Sequence, residues 1–338
     1  MKKDKLKKGI GIIIIIFIII NFIPTSFYLM TPGVAEDLSP IISVENGYKD
    51  RIKGSFLLTA VGSQKATVWD YIYVKTIQPR GHELEIISEQ LPEGINMDKY
   101  LEMMTDLMEE SKLTAEAVAL RKLGYDVKVH GEGVEIVEVL ENSDAYNRLQ
   151  SGDIITAIDG KETEIASVAV DIIRNREVGD NVNLEILRDN ETIDLSVETI
   201  ELSESPGKPS IGILITTKNL NYEFPIEVEY ETGEIVGPSA GGMFALEIYN
   251  QLVEEDLTRG KKIAGTGTIN LEGEVGQIDG IEQKIITAEE AGAEIFILPE
   301  ENFEEANKVK TDIQLVPVKT FEEAVEFLKE QQNISEAA

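Results

Sequence analysis

Cysteine is absent from all 338 residues, which excludes disulfides, thiol nucleophiles and thiolate metal sites together. Histidine is scarce: His82 and His130 are the only two, with no His-x-x-x-His spacing, so the sequence calls for no zinc hydrolase, while carboxylate-rich calcium sites stay open. No G-x-x-x-x-G-K-[ST] run occurs, so no nucleotide-driven motor of that kind is encoded, and no cofactor or metal is expected. Basic side chains are outnumbered, 31 against 62 acidic ones, for a net charge of −31. Such a surface repels nucleic acid and anionic lipid heads. A plain solvated face and a preference for basic substrates both fit it.

What is present in excess is an apolar run. Residues 1–8, MKKDKLKK, carry five lysines and one aspartate, and IGIIIIIFIIINFI follows over residues 10–23. From Gly9 to Met30 about 22 residues at ~1.5 Å each match a hydrocarbon core of about 30 Å. The expectation is a cytoplasmic basic tail over 1–8 and a transmembrane helix over 9–30. With the lysines first, the rest of the chain lies outside the cytoplasm, at the cell membrane. A cleaved leader is the alternative, with Gly33-Val34-Ala35 as a weak processing site.

The remaining sequence is that of globular domains, with 42% apolar and 28% charged residues overall. Residues 56–76, FLLTAVGSQKATVWDYIYVKT, alternate around Gly62-Ser63 and predict two strands. Apolar spacings of three and four over 97–123 predict one long or two short helices ending at Gly124. From Val127 to Leu202 come short β-rich runs, VEIVEVL, DIITAIDG, NVNLEILR and TIDLSVETI, with a helical ASVAVDIIRNR after the second. SESPGKPS (203–210) reads as a linker. Beyond it an α/β region is expected: strands at 211–216, 225–229, 263–271 and 295–298, and helices at 240–252, 281–291 and 321–329.

The run GEGVEIVEVLENSDAYNRLQSGDIITAIDGKE resembles a PDZ domain of the bacterial protease-associated kind, here bounded at 124–203. The resemblance implies a carboxylate-binding loop at Gly131, Gly133 and Val134, and an extended peptide added beside residues 134–140. The bland alternative is that Gly131, Gly133 and Gly152 are turn glycines.

Gly237-Pro238-Ser239-Ala240-Gly241-Gly242 places a serine between small residues at a helix start, where amides such as those of Ala240 and Gly241 can face a developing oxyanion. Gly237 to Gly241 also satisfies G-x-S-x-G, but that hydrolase fold needs a histidine after the serine, and none follows His130. Ser239 as a plain helix N-cap is the other reading. In IEQKIITAEEA, Ile281, Ile285, Ala288 and Ala291 form one stripe, and Lys284 falls inside it. Such a lysine either snorkels to the surface or, desolvated, stays partly neutral and serves as a base.

GPSAGG followed by GTGTINLEGEVGQIDGIEQKIITAEEAGAEIFILPEEN is similar to the proteolytic domain of Lon-type (S16) proteases. That resemblance implies a Ser239/Lys284 dyad, with Thr266 supporting it. Val236 and Asp279 depart from the family pattern at the edges of these motifs. The anchor, PDZ module and Lon-like domain together resemble a family of PDZ-containing membrane proteases from Gram-positive bacteria. The fold class implied is an α/β (α+β) Lon-type proteolytic domain with a β-rich PDZ module, behind one transmembrane helix.

The Lon-type domain is bounded at 204–333, with a tail over 334–338. Because that stretch is short for the family, residues 31–123 are expected to supply its first part, with GSFLLTAVGSQKATV and LMEESKLTAEAVALRKLG as the opening strands and first helix. The PDZ module would then be an insertion. The implied function is an ATP-independent serine endopeptidase, acting on exported peptides or small proteins with accessible termini or loops. It would have the membrane as partner, no nucleic acid or nucleotide, and a ring-like homo-oligomer as an open question. A non-catalytic PDZ adaptor at the outer membrane face is the alternative.

Overall fold

The computed structural model describes residues 20–86, 97–202, 205–231, 233 and 235–336. It divides into two compact units, one running to Gly124 and resuming at Ile226, the other Tyr125–Pro225. In chain order the first unit begins with β1 (Pro24–Asp37), β2 (Ser55–Thr67), α1 (Val68–Ile77), β3 (Glu83–Ile86) and α2 (Met97–Lys122). The second unit holds β4 (Val134–Val139), β5 (Ile154–Ile158), α3 (Ala166–Arg174), β6 (Asn181–Arg188), β7 (Glu191–Glu198) and β8 (Ile213–Thr217). The first unit then continues with α4 (Gly241–Leu252), β9 (Lys262–Gly265), α5 (Ile281–Glu290), β10 (Ile295–Pro299), β11 (Gln314–Val318) and α6 (Phe321–Glu336).

One sheet in the order β11-β10-β9-β2-β1-β3 organises the first unit. β2 pairs in parallel with β9, Ser55 opposite Lys262 through Leu58 opposite Gly265, so segments on either side of the second unit share one sheet. Alternation along the strands sends side chains to two cores. Phe56, Leu58, Ile263, Ile295 and Ile297 face α4 and α2, whereas Leu57, Ala264, Phe296 and Leu298 face α5. Both faces are covered, which is why β10 is buried at every residue and reads as an unbroken apolar run. α4 is the central helix, buried from Gly241 through Gln251.

The second unit is a sheet in the order β7-β6-β5-β4-β8, with Lys161–Glu162 paired to β5 off this path. Its core joins Val134, Ile136, Ile155, Ile158, Leu184, Ile186 and Val197 to Ala169 and Ile173 of α3. Asp153 is wholly buried and held by both arms of Arg188, Nε to Oδ1 and Nη2 to Oδ2, each at 2.6 Å.

Several sequence expectations are corrected. Gly62 is no turn: β2 runs through it opposite Thr31 of β1, and a Cβ there would lie 2.5 Å from Thr31 Oγ1, so glycine permits the close strand approach. The expected second strand is instead α1, started by a capping box in which the Thr67 hydroxyl receives the Asp70 N–H and the Asp70 carboxylate receives the Thr67 N–H. Of the two alternatives expected for residues 97–123, the single long helix is the one found, α2, and Gly124 follows at φ +84°. Within the expected linker, Ser205–Ser210 pairs with Ile200–Leu202. The strand expected to open the α/β region, β8, is hydrogen-bonded into the second unit's sheet.

The proposed anchor over 9–30 is corrected at its C-terminal end, because Pro24 to Met30 lie in β1, paired with both β2 and β3. Residues 1–19 lie outside the described residues. No helix among the described residues is long and apolar enough to cross a membrane.

Candidate active site

The ends of three elements converge. α4 on one face of the sheet and α5 on the other are separated by β9, and Gly265-Thr266-Gly267 emerges where that strand stops. Gly265 is required by close packing: a Cβ there would sit 2.5 Å from Met243 Sδ and 2.7 Å from the Ile297 carbonyl. This pins Thr266, whose N–H donates to the Ile297 carbonyl at 3.0 Å.

Ser239 sits in a 3-10 turn, Pro238–Ala240, entered through Gly237 at φ +99°. α2 holds this turn from behind. The Met104 carbonyl accepts the Gly237 N–H at 3.0 Å, and Ser111 Oγ donates to the Pro238 carbonyl at 3.1 Å. On the other side the Ser239 carbonyl accepts the Gly267 N–H at 2.8 Å and the Thr266 hydroxyl at 3.0 Å. Ser239 is thus fixed by its backbone while its side chain stays partly exposed.

Lys284, one turn into α5, is 4% exposed and reaches the same point. Its Nζ lies 2.9 Å from Ser239 Oγ and 3.0 Å from Thr266 Oγ1. Burial pushes its pKa down from 10.5 to about 8, against the opposing pull of the Asp279 carboxylate. The Thr266 hydroxyl has one proton, committed to the Ser239 carbonyl, so toward Lys284 it can only accept. The Lys284 amine can donate to both hydroxyl oxygens, and in its neutral form it also carries one lone pair.

The structure brings Ser239, Lys284 and Thr266 into contact, although they come from three segments. Of the two amides expected to face an oxyanion, that of Gly241 donates to the Pro238 carbonyl, closing the 3-10 turn in this conformation. Ala240 is buried at the start of α4. Ser111 and Met104 were not singled out by the sequence reading. Both lie on a helix whose spacing announces an apolar face, with nothing to mark which polar groups it turns to the serine loop. Among the described residues no group of three or more His, Asp or Glu side chains stands together as a metal site.

Gly131, Gly133 and Val134 belong to the second unit. Gly133 has φ +110°, and its N–H donates to the Glu164 carbonyl at 3.2 Å. Val134 begins β4 and is fully buried.

Comparison with known proteins meets these features from another side. Residues 213–330 match the Lon protease (S16) C-terminal proteolytic domain, and residues 122–199 match the PDZ domain. The Lon protease of Methanosphaera stadtmanae is similar at 28% identity over 138 residues, covering 39% of this chain and 16% of that protein. Lon protease 2 of Bacillus subtilis is similar at 33% identity over 105 residues, covering 31% of this chain and 19% of that one. Among solved structures, the PDZ domain of an SdrC-like protein from Listeria innocua shows 32% identity, covering 25% of this chain and 92% of that one, with a TM-score of 0.23. The chain spans less than a fifth of the length of these two Lon relatives. The S16 match starts at residue 213, whereas backbone hydrogen bonds assign β8 to the second unit, and the hydrogen bonds decide where the strand folds. A Lon-type S16 proteolytic domain and a PDZ domain are present, and the Lon-type homologues support a serine peptidase.

Proposed function

We propose that these two domains form an ATP-independent serine endopeptidase in which Ser239 is the nucleophile and Lys284 its general base. The observation that carries this reading is the 2.9 Å approach of a buried lysine amine to a partly exposed serine hydroxyl. With a pKa of about 8, roughly a tenth of Lys284 is neutral at pH 7. The neutral amine takes the Ser239 proton as Oγ attacks the scissile carbonyl. The resulting ammonium returns that proton to the departing amine as the C–N bond breaks. Water, deprotonated by the same amine, then attacks the ester, releasing the acid and restoring Ser239. Backbone amides around the serine loop hold the oxyanion, with those of Ser239 and Ala240 better placed than that of Gly241, whose N–H is engaged. Thr266 keeps the lysine lone pair aimed at the hydroxyl.

The substrates this reading favours are segments that are already extended, such as exported peptides, loops or tails, and the PDZ domain takes part in selecting them. The protein is held at the outer face of a membrane by the apolar run that ends at Ile23. Support for that placement comes from what the run leads into. Phe22 and Ile23 are exposed, the Ile23 carbonyl accepts the Val68 N–H at 2.9 Å, and α1 next to it carries Trp69, Tyr71 and Tyr73 with Tyr71, Ile72 and Ile77 exposed. Aromatic and aliphatic side chains of this kind suit the lipid–water interface.

The test is labelling of the full-length protein, in solubilised membranes, by a fluorophosphonate probe, with the adduct located by peptide mass spectrometry. The expected adduct is on Ser239, absent from Ser239→Ala and formed far more slowly in Lys284→Met. A folded protein that leaves Ser239 unmodified would instead support the adaptor reading.

A further inference from the structure

The edge of the second unit at which a peptide would be added is already filled, by the chain itself. β4 is bonded to β5 on one side and to β8 on the other, antiparallel, from Ile213 opposite Val139 to Thr217 opposite Val134. The ladder continues past both ends of β8. The Leu140 N–H donates to the Gly212 carbonyl at 2.9 Å, the Lys218 N–H to the Gly133 carbonyl at 2.9 Å, and the Glu132 N–H to the Lys218 carbonyl at 2.8 Å. α3 closes the other side, its Ala166 N–H donating to Thr217 Oγ1 at 2.9 Å. The PDZ match ends at residue 199, so β8 comes from outside the matched domain.

β8 occupies the edge as a bound peptide would, as an added strand with alternate side chains in pockets. Ile213 and Ile215 pack on the module's core, while Leu214 and Thr216 are exposed. Gly131 shapes the third position, since a Cβ there would lie 2.4 Å from Thr217 Cγ2. At the loop the chain does not stop: the Lys218 carbonyl accepts the Glu132 N–H, and Asn219 follows, its side-chain amide donating to the Glu132 carboxylate at 2.7 Å. Glu132 and Glu164 flank this loop, with His130 3.7 Å from Glu164. Two carboxylates disfavour a free C-terminal carboxylate here and favour a basic side chain such as that of Lys218.

We infer that β8 is a resident pseudo-ligand, and that the groove exchanges it for internal extended segments with aliphatic residues two apart, then a threonine or serine and a lysine. This rests on the reading of the PDZ domain as the capture module and is independent of Ser239 chemistry. It also reassigns Gly131, Gly133 and Val134 from holding a chain terminus to letting a continuous chain pass. A resident strand lowers the apparent affinity for any incoming peptide by the fraction of time the groove is empty.

The test uses the full-length chain in a Ser239→Ala background, so that the probe is not cleaved. Glu135 and Thr216 face each other across β4 and β8, and the chain has no cysteine of its own, so Glu135→Cys with Thr216→Cys gives one defined cross-link. The probe is a fluorescent, C-terminally amidated peptide copying residues 211–220, IGILITTKNL, read by anisotropy. Oxidation is expected to weaken its binding at least about tenfold, reduction to restore it, and Ile213→Ser with Ile215→Ser to strengthen it over the uncross-linked chain. A peptide of the same sequence ending at Thr217 with a free carboxylate is expected to bind more weakly than the amidated probe. Equal binding with and without the cross-link, or no binding even after the isoleucine substitutions, overturns the exchange. Tighter binding of the free acid overturns the preference for internal segments. Failure of Ser239 to label in the wild type would sink the peptidase reading and leave these binding results untouched.

Discussion

Both units bury ionisable groups, and two of these, Asp153 and Lys284, are treated in opposite ways. Asp153, wholly buried in the second unit, meets the fork of Arg188 with both oxygens paired, so its charge is fully answered. Lys284, 4% exposed in the first unit, meets two hydroxyls and no fork, and burial drives its pKa toward neutrality. A paired buried charge fixes a fold, whereas one left with neutral partners is available to exchange a proton. The serine and PDZ loops teach the same lesson, since both are glycine-lined with a positive φ, at Gly237 and Gly133. Around the second loop the backbone groups of Glu132 and Gly133 are taken up by β8 and its continuation; at the first, the Ser239 hydroxyl lies 2.9 Å from the Lys284 amine.

The comparison breaks most visibly if Lys284 proves dispensable. Lys284→Met keeps the buried volume and removes the amine proposed as base, so kcat/KM against an unfolded protein such as casein should fall by about 10³-fold or more, with thermal stability unchanged or raised. Retention of activity within about tenfold would show that another group takes the proton. Arg188→Met strips the partner from Asp153 and should cost about 3–5 kcal/mol, because an uncompensated buried carboxylate remains. Hydrogen exchange should report that loss across residues 125–225 and spare α4 and α5. A cost under about 1 kcal/mol would mean that the pairing with Arg188 contributes little to the fold. Thr266→Val removes the acceptor that orients the lysine while keeping the strand's shape. It should lower kcat about 10- to 100-fold with little change in KM, and a change in KM alone would make Thr266 a binding residue.

How much of this the sequence discloses depends on whether the signal is local. Ser239 and Lys284 are legible because each carries its own anomaly, a serine among small residues and a lysine inside an apolar stripe. Their meeting needs the sheet between them, which periodicity indicates only as alternation. α1 is ambiguous because VWDYIYV alternates like a strand, and what settles it is the Thr67-x-x-Asp70 capping box at its start. β8 is legible as a strand and illegible as a partner: ILITT has the period of two that suits any sheet with one covered face, and nothing in it names the unit that receives it. The support of Ser239 by Ser111 and Met104 is the least visible. A lone hydroxyl and a main-chain carbonyl, far along the chain from the serine, leave no pattern.

The smallest expected effect tests the finest part of the contrast, the charge near Lys284. The protonated lysine cannot accept the Ser239 proton, so kcat/KM should rise with pH through a limb near the lysine's pKa of about 8 and level off above it. Asp279 favours the ammonium form, working against the burial that favours the amine. Replacing it by asparagine removes that support for the charged form and lets burial act alone. The limb of Asp279→Asn should therefore move to lower pH, with the high-pH plateau unchanged. An interaction of roughly 1 kcal/mol across partly solvated protein corresponds to a few-fold gain in kcat/KM at pH 6.5. A limb that stays in place would show that solvent screens Asp279 from the amine. A limb that moves upward would mean that the titrating base is not Lys284, because no removal of a negative charge can raise a lysine's pKa by direct electrostatics.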